Sequence, residues 1–289
     1  MQARMFSLAT APSTFVGAYR NNQAILWPGL FLSRQRQCCG WAAPASPLNS
    51  WAVVVLEVVE TLQRINADFS KRAVVHAAQV PWVASPTPGV ERRMLDRIGD
   101  EVARATSIVR YAPGSAFPAH THGGGEEYLV LEGTFQDEKG DHPVGTYVRN
   151  PPGSRHTPGS QPGCTLLVKL WQFDPGDRQS VRVATAGLQA RKDTRSPGVG
   201  VIELYEDDYE RVRIEHWMPG LVMDLTAGDG LELLLLEGGF IGAGASFLPW
   251  SWLRLPSGDG MQVRVGSAGV RVWLKQGVQP SSLRLPLST

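Results

Sequence analysis

The chain has 289 residues, 43% of them hydrophobic, enough to bury one large core or two small ones, and its formal net charge is +1. So even a charge balance gives no electrostatic ground for a nucleic-acid or anionic-membrane partner, and neither is expected. Its 31 glycines and 21 prolines fall between short apolar runs, the composition of an all-β protein.

From Met1 to Leu56 there is no Asp or Glu, while Arg4, Arg20, Arg34 and Arg36 stand among small and hydroxylated residues. Residues 1–65 are therefore set apart, either as an organelle transit peptide or as an extension outside the globular protein. Cys38, Cys39 and Cys164 are too few and too irregular for a disulfide framework, which suits a reducing compartment and a cytoplasmic location if the leader is not a targeting signal. The apolar run from Trp51 to Val59 is broken by Glu57 and falls well short of the roughly 20 residues a membrane-spanning helix needs. Leu56 to Ile65 spaces its apolar residues at helical intervals and predicts one short amphipathic helix.

The proline-rich stretch from Pro81 to Glu91 predicts extended backbone. Four short apolar runs then follow, at 105–111, 126–135, 145–150 and 164–173, each bounded by glycine-containing turns. Strands this short and close suit a sandwich or barrel.

The chain also repeats itself. "EEYLVLEGTF", starting at position 126, answers "LELLLLEGGF", starting at position 231, an offset of 105 residues. The same offset lays Arg149 on Arg254, Pro151 on Pro256 and Gly153 on Gly258. Two copies of one β-domain in tandem are expected, at 66–190 and 191–289. The comparison separates scaffold from chemistry, because at that offset His120, His122, Glu126 and His156 become Leu225, Ala227, Leu231 and Met261. The first copy is thus the chemically active one.

In that copy His120 and His122 are two residues apart and share a strand face. Gly123 to Gly125 let the chain return Glu126 to the same point. A second turn built on Pro151 and Gly153 delivers His156. Three imidazoles and a carboxylate converge inside the barrel.

These two motifs, in this order, resemble the cupin superfamily, and most closely its ChrR-like group. "HTHGGGEEYLVLEGTFQDEKGDHPVGTYVRNPPGSRHTP" has that group's double glutamate, acidic hairpin and "RNPPGSRH" turn. The resemblance spans Pro88 to Asp174 and reaches the second copy only as a degenerate echo. It departs from the general cupin pattern in a short Gly133–Gly145 gap, normal for the ChrR-like group, and in Ser160 where the second motif ends in Asn.

The resemblance implies tandem double-stranded β-helix (jelly-roll) barrels, a bicupin, with one divalent metal on His120, His122, Glu126 and His156. Zn, Fe and Mn head the candidates, with Ni and Cu also compatible with such ligands. Glu127 is the alternative carboxylate, but Glu126 alone keeps the six-residue spacing to Gly133. Tyr147 and Arg149 lie on one face of the strand leading to His156, either near the metal and substrate or, since Arg254 repeats Arg149, in the scaffold. His142 is expected in an exposed hairpin, His76 and His216 at the surface or half-buried, and Cys164 buried. The implied function is a metal-dependent, dioxygenase-like oxidoreductase acting on a small molecule. Two alternatives stand beside it. One is a stress-sensing cupin related to the anti-sigma factor ChrR, although the His-x3-Cys-x2-Cys motif of its sigma-binding domain is missing. The other is a structural zinc bicupin. A homodimer is implied by resemblance alone.

Overall fold

The structure, a computed structural model, describes residues 63–277. Most of the leader, both of its cysteines, and Leu56 to Leu62 of the expected helix lie outside the described residues. The end of that predicted helix is extended instead. Arg64–Ile65 is a strand paired with Ile98 and Arg97, so an open sheet edge overrode the local helical spacing.

Two β-barrels account for the described chain. The first main sheet runs Arg64–Ile65, Val90–Gly99, Ala103–Tyr111, Cys164–Leu170, Glu126–Asp137, Thr146–Asn150, Val181–Ala184. The second runs Arg191–Lys192, Val199–Glu206, Arg211–Trp217, Gly260–Gln276, Leu231–Gly242, Ser251–Leu255, Ala73–His76. The order of the two sheets is the same, as the sequence repeat requires. One of their last strands crosses from one copy to the other. Val181–Ala184, which leads into the second barrel, closes the first by pairing with Thr146–Arg149. Ala73–His76, placed by sequence in the first copy, closes the second by pairing with Ser251–Arg254. The two pairings cover an edge of each sheet within one chain. No helix among the described residues is long and apolar enough to cross a membrane.

Alternation along the strands divides their side chains between three cores. One face of the second barrel fills its interior with Leu231, Leu233, Leu235, Leu255, Val263 and their neighbours. The first barrel's interior is packed by a smaller set around Tyr128, Val130, Phe135 and Leu166. The outward faces of both barrels meet in a third core that includes Leu95, Ile108, Leu129, Ile214, Trp252 and Trp273. Packing such surfaces together is the main favourable contribution to folding.

Candidate metal centre

The candidate ligands arrive from three separately held segments. His120–Thr121 pairs with Arg155–His156 so that His120 faces His156. His122 is tied to the same turn by its N–H, which donates to the Ser154 carbonyl at 2.9 Å, while the Gly153 N–H donates to the His122 carbonyl. Glu126 opens the long Glu126–Asp137 strand, opposite Asn150. The intervening glycines are required by packing as much as by turning. A Cβ on Gly124 would lie 2.4 Å from the Trp171 ring and one on Gly125 2.5 Å from Phe173, and only Gly125 of the three has positive φ, +78°. Trp171 itself, at φ 58°, ends the Cys164–Leu170 strand and turns its ring onto this loop.

One ligand atom from each of His120, His122, Glu126 and His156 lies within 4.8 Å of the other three. Glu126 Oε2 is 3.3 Å from His122 Nε2 and 3.5 Å from His156 Nε2. Both of these imidazole nitrogens are buried without a hydrogen-bond partner, a costly arrangement unless another group occupies the point they face. The opposite nitrogens explain the aim. His120 Nδ1 donates to the Pro118 carbonyl at 3.0 Å. Ser154 Oγ donates to the Pro151 carbonyl at 2.6 Å and so accepts from His122 Nδ1 at 2.9 Å. His156 Nδ1 faces Asp137 Oδ2 at 3.5 Å. With protons held on Nδ1, the Nε2 lone pairs are left free for a cation. The donor set fits a divalent metal.

Burial lowers the His122 pKa and favours the neutral ring, the form able to ligate a cation. Burial works the same way on His156, but the Asp137 carboxylate and Glu126 outweigh it and raise its pKa. Asp137 is held far below the usual carboxylate range: burial opposes its charge, and hydrogen bonds from His142 and His156 more than offset that.

Several assignments made from sequence change here. His142 is fully buried, its Nε2 donating to Asp137 Oδ1 at 2.9 Å, because the Gly140–Pro143 strand folds back on the hairpin rather than projecting into water. Asp137 and Asn150, whose Nδ2 donates to Glu126 Oε2 at 3.3 Å, carried no sequence signal. Glu127, Tyr147 and Arg149 point away from the cluster into the core between the barrels. The Tyr147 hydroxyl donates to Glu127, Glu127 pairs with Lys275 at 2.5 Å, and Arg149 pairs with Asp177 and Glu210. None of the three lines the cavity beside the ligands. His76 is half-buried against Ser251, His216 is exposed, and Cys164 is buried.

That cavity measures about 640 Å³ and reaches His120, His122 and Glu126. Its walls are mainly apolar, with Tyr111, Phe117, Phe135, Leu166 and Trp171 among them. In the second barrel the matching register is kept, Leu225 facing Met261 as His120 faces His156, and Leu225, Ala227, Leu231 and Met261 are all packed into the core.

Residues 70–174 match the family profile described as the ChrR cupin-like domain. The chain carries a ChrR-like cupin domain. Solved structures agree with this cupin in fold. A candidate dioxygenase from Nostoc punctiforme aligns with TM-score 0.60 at 13% identity, over 76% of this chain and 87% of its own. A candidate glyoxylate-induced protein from Pseudomonas aeruginosa aligns with TM-score 0.58 at 16% identity, over 80% and 96%. The pirin YhhW from Escherichia coli, solved with nickel(II), aligns with TM-score 0.53 at 13% identity, over 71% and 98%. Overlaps of this length span both barrels of the cupin. No curated protein matches the chain in sequence.

Proposed function

We propose that this cupin is a metal-dependent enzyme acting on a small molecule, an oxidoreductase of the dioxygenase kind. The observation that carries the reading is a three-histidine, one-carboxylate cluster opening onto a 640 Å³ apolar cavity, the size range of small-molecule sites. A purely structural zinc has no use for such a cavity, since closed structural sites surround the ion with protein. The twin barrel supports the reading by losing the ligands and filling its interior with leucine and valine.

A divalent ion at this point would supply Lewis acidity and, if redox-active, a path for electrons to oxygen. The protein's own share is clear. His120, His122, Glu126 and His156 hold one side of the point, while Trp171, Phe117 and Phe135 keep water from the other. Ser154, Asp137 and the Pro118 carbonyl set which nitrogen of each imidazole faces inward.

Elemental analysis of protein purified without added metal, with oxygen uptake followed on diketone and enol substrates, tests the proposal. A redox-active ion with substrate-dependent uptake is expected. Zinc with no uptake would overturn the oxygenase assignment.

A further inference from the structure

We infer that the cavity takes a small organic acid with an apolar body, its single carboxylate paired with Arg97, three strands away from Glu126. This deepens the reading above and rests on it only for what happens at the ligand's other end. Arg97 pairs with Ala105, Ala105 with Leu170, and Leu170 with Glu126, so the four stand on one rung of consecutive strands. All four line the cavity. Three strand spacings separate the Arg97 and Glu126 backbones by about 14 Å along the sheet, and by less across the curved barrel. The wall between them, Ala105, Leu166, Val168 and Leu170, is apolar but for Ser107.

A β-bulge between Met94 and Asp96 puts Arg97 on this wall. Unbroken alternation from Val90 and Arg92 would turn Asp96 inward and Arg97 out. The extra residue reverses the faces. Asp96 then meets Arg104 and Arg254 between the barrels, and Arg97 enters the cavity.

Arg97 is 3% exposed, and the only hydrogen bond of its side chain within the described residues runs from Nε to the Gly99 carbonyl at 2.9 Å. The carboxylates nearby are engaged elsewhere. Glu101 pairs with Arg92 at 2.9 Å, and Asp100 accepts from the Gln63 N–H at 3.2 Å. Burial, and then Arg92, push the Arg97 pKa down, and the Glu101 and Asp100 carboxylates offset this only in part. A buried guanidinium in that state favours an anion, and its planar fork matches a carboxylate.

The second barrel provides a control. It keeps the bulge, between Glu203 and Tyr205. In register, Val201 stands where Arg92 does and Glu206 where Arg97 does. Both cavity cations are therefore lost together with the metal ligands, whereas Arg149, between the barrels, persists as Arg254.

The test is calorimetric titration of the full chain, carrying the metal with which it is purified, with hexanoate and with its neutral isostere hexanamide. The acid is expected to bind at least about tenfold more tightly than the amide. Arg97→Met should remove that preference at unchanged metal content, and Arg97→Lys should restore part of it. If Arg97→Met does not fold, Ala105→Phe, which blocks the rung between Arg97 and Glu126, must abolish binding of the acid. No binding of the acid, equal binding of acid and amide, or full affinity in Arg97→Met would overturn the inference. Chelation separates it from the proposed activity. Acid binding that survives metal removal but depends on Arg97 supports this site even without oxygen uptake; acid binding that needs the metal and ignores Arg97 makes the carboxylate a metal ligand and overturns it.

Discussion

Each imidazole of the cluster is aimed by the group behind it, and two predictions follow at the scale of single residues. His156→Ala should abolish stoichiometric metal binding, and Met261→Ala, its counterpart in the second barrel, should leave it unchanged, as elemental analysis of the two proteins would show. Asp137→Asn keeps the shape but weakens the acceptor facing His156 Nδ1. Metal affinity in chelator competition should fall by about 10- to 100-fold, the usual cost of losing such a partner, without loss of fold. His120, His122, Glu126 and His156 were legible because their spacing is rigid and their twins are apolar. Asp137 and His142 were not, since a hairpin that folds back looks in sequence like one that projects.

At the scale of elements, strand alternation decided which residues share a face but not what that face meets. Glu126 and Glu127 follow one another, and the pleat sends the first to the metal cluster and the second to Lys275. Tyr147 and Arg149 follow Glu127, their cross-strand neighbourhood being set by the Tyr147–Leu129 and Arg149–Glu127 pairs. The glycine loop shows a similar limit. Its three glycines promised a turn, yet two of them are demanded by the Trp171 ring, a contact made across 47 positions of sequence for Gly124 (171 less 124). Gly124→Ala should therefore displace Trp171 and loosen the segment joining His122 to Glu126. Overpacking of this kind costs about 1–3 kcal/mol, readable as a lower Tm together with weaker metal binding.

At the scale of the whole described molecule, buried ion pairs reach from each barrel to the other. Lys275 of the second barrel reaches Glu127 of the first, and Lys169 of the first reaches Glu232 of the second. Arg149 and Arg254 repeat the exchange, pairing with Glu210 and Asp96 respectively. Glu232 and Lys169 are buried, and Lys169 Nζ also donates to the Thr106 hydroxyl at 3.0 Å. Burial opposes the Glu232 charge, but the Lys169 ammonium outweighs it and lowers the pKa from 4.5. A lowered folded-state pKa means stability that is present above about pH 4.5 and lost as the pH falls through the folded value. Glu232→Gln should cost about 3–5 kcal/mol near neutrality, by stranding a buried ammonium. Urea unfolding across a pH series should also show a shallower acid limb in that variant. Glu232→Leu combined with Lys169→Met should recover most of the loss, because well-packed apolar replacements of a buried pair are often neutral.

By itself the sequence determined that the protein is all-β, that its pattern repeats, and that the three histidines and the glutamate of the candidate site stand in one copy only. Those features depend on period, spacing and an internal comparison, all of them local or repetitive. Only the tertiary structure decided the pairing of Ala73–His76 with the second barrel, the burial of Glu127 and Arg149 between barrels, and the entry of Arg97 into the cavity. Each depends on a bulge, an edge pairing or a contact between distant segments, whose partners no local pattern can name.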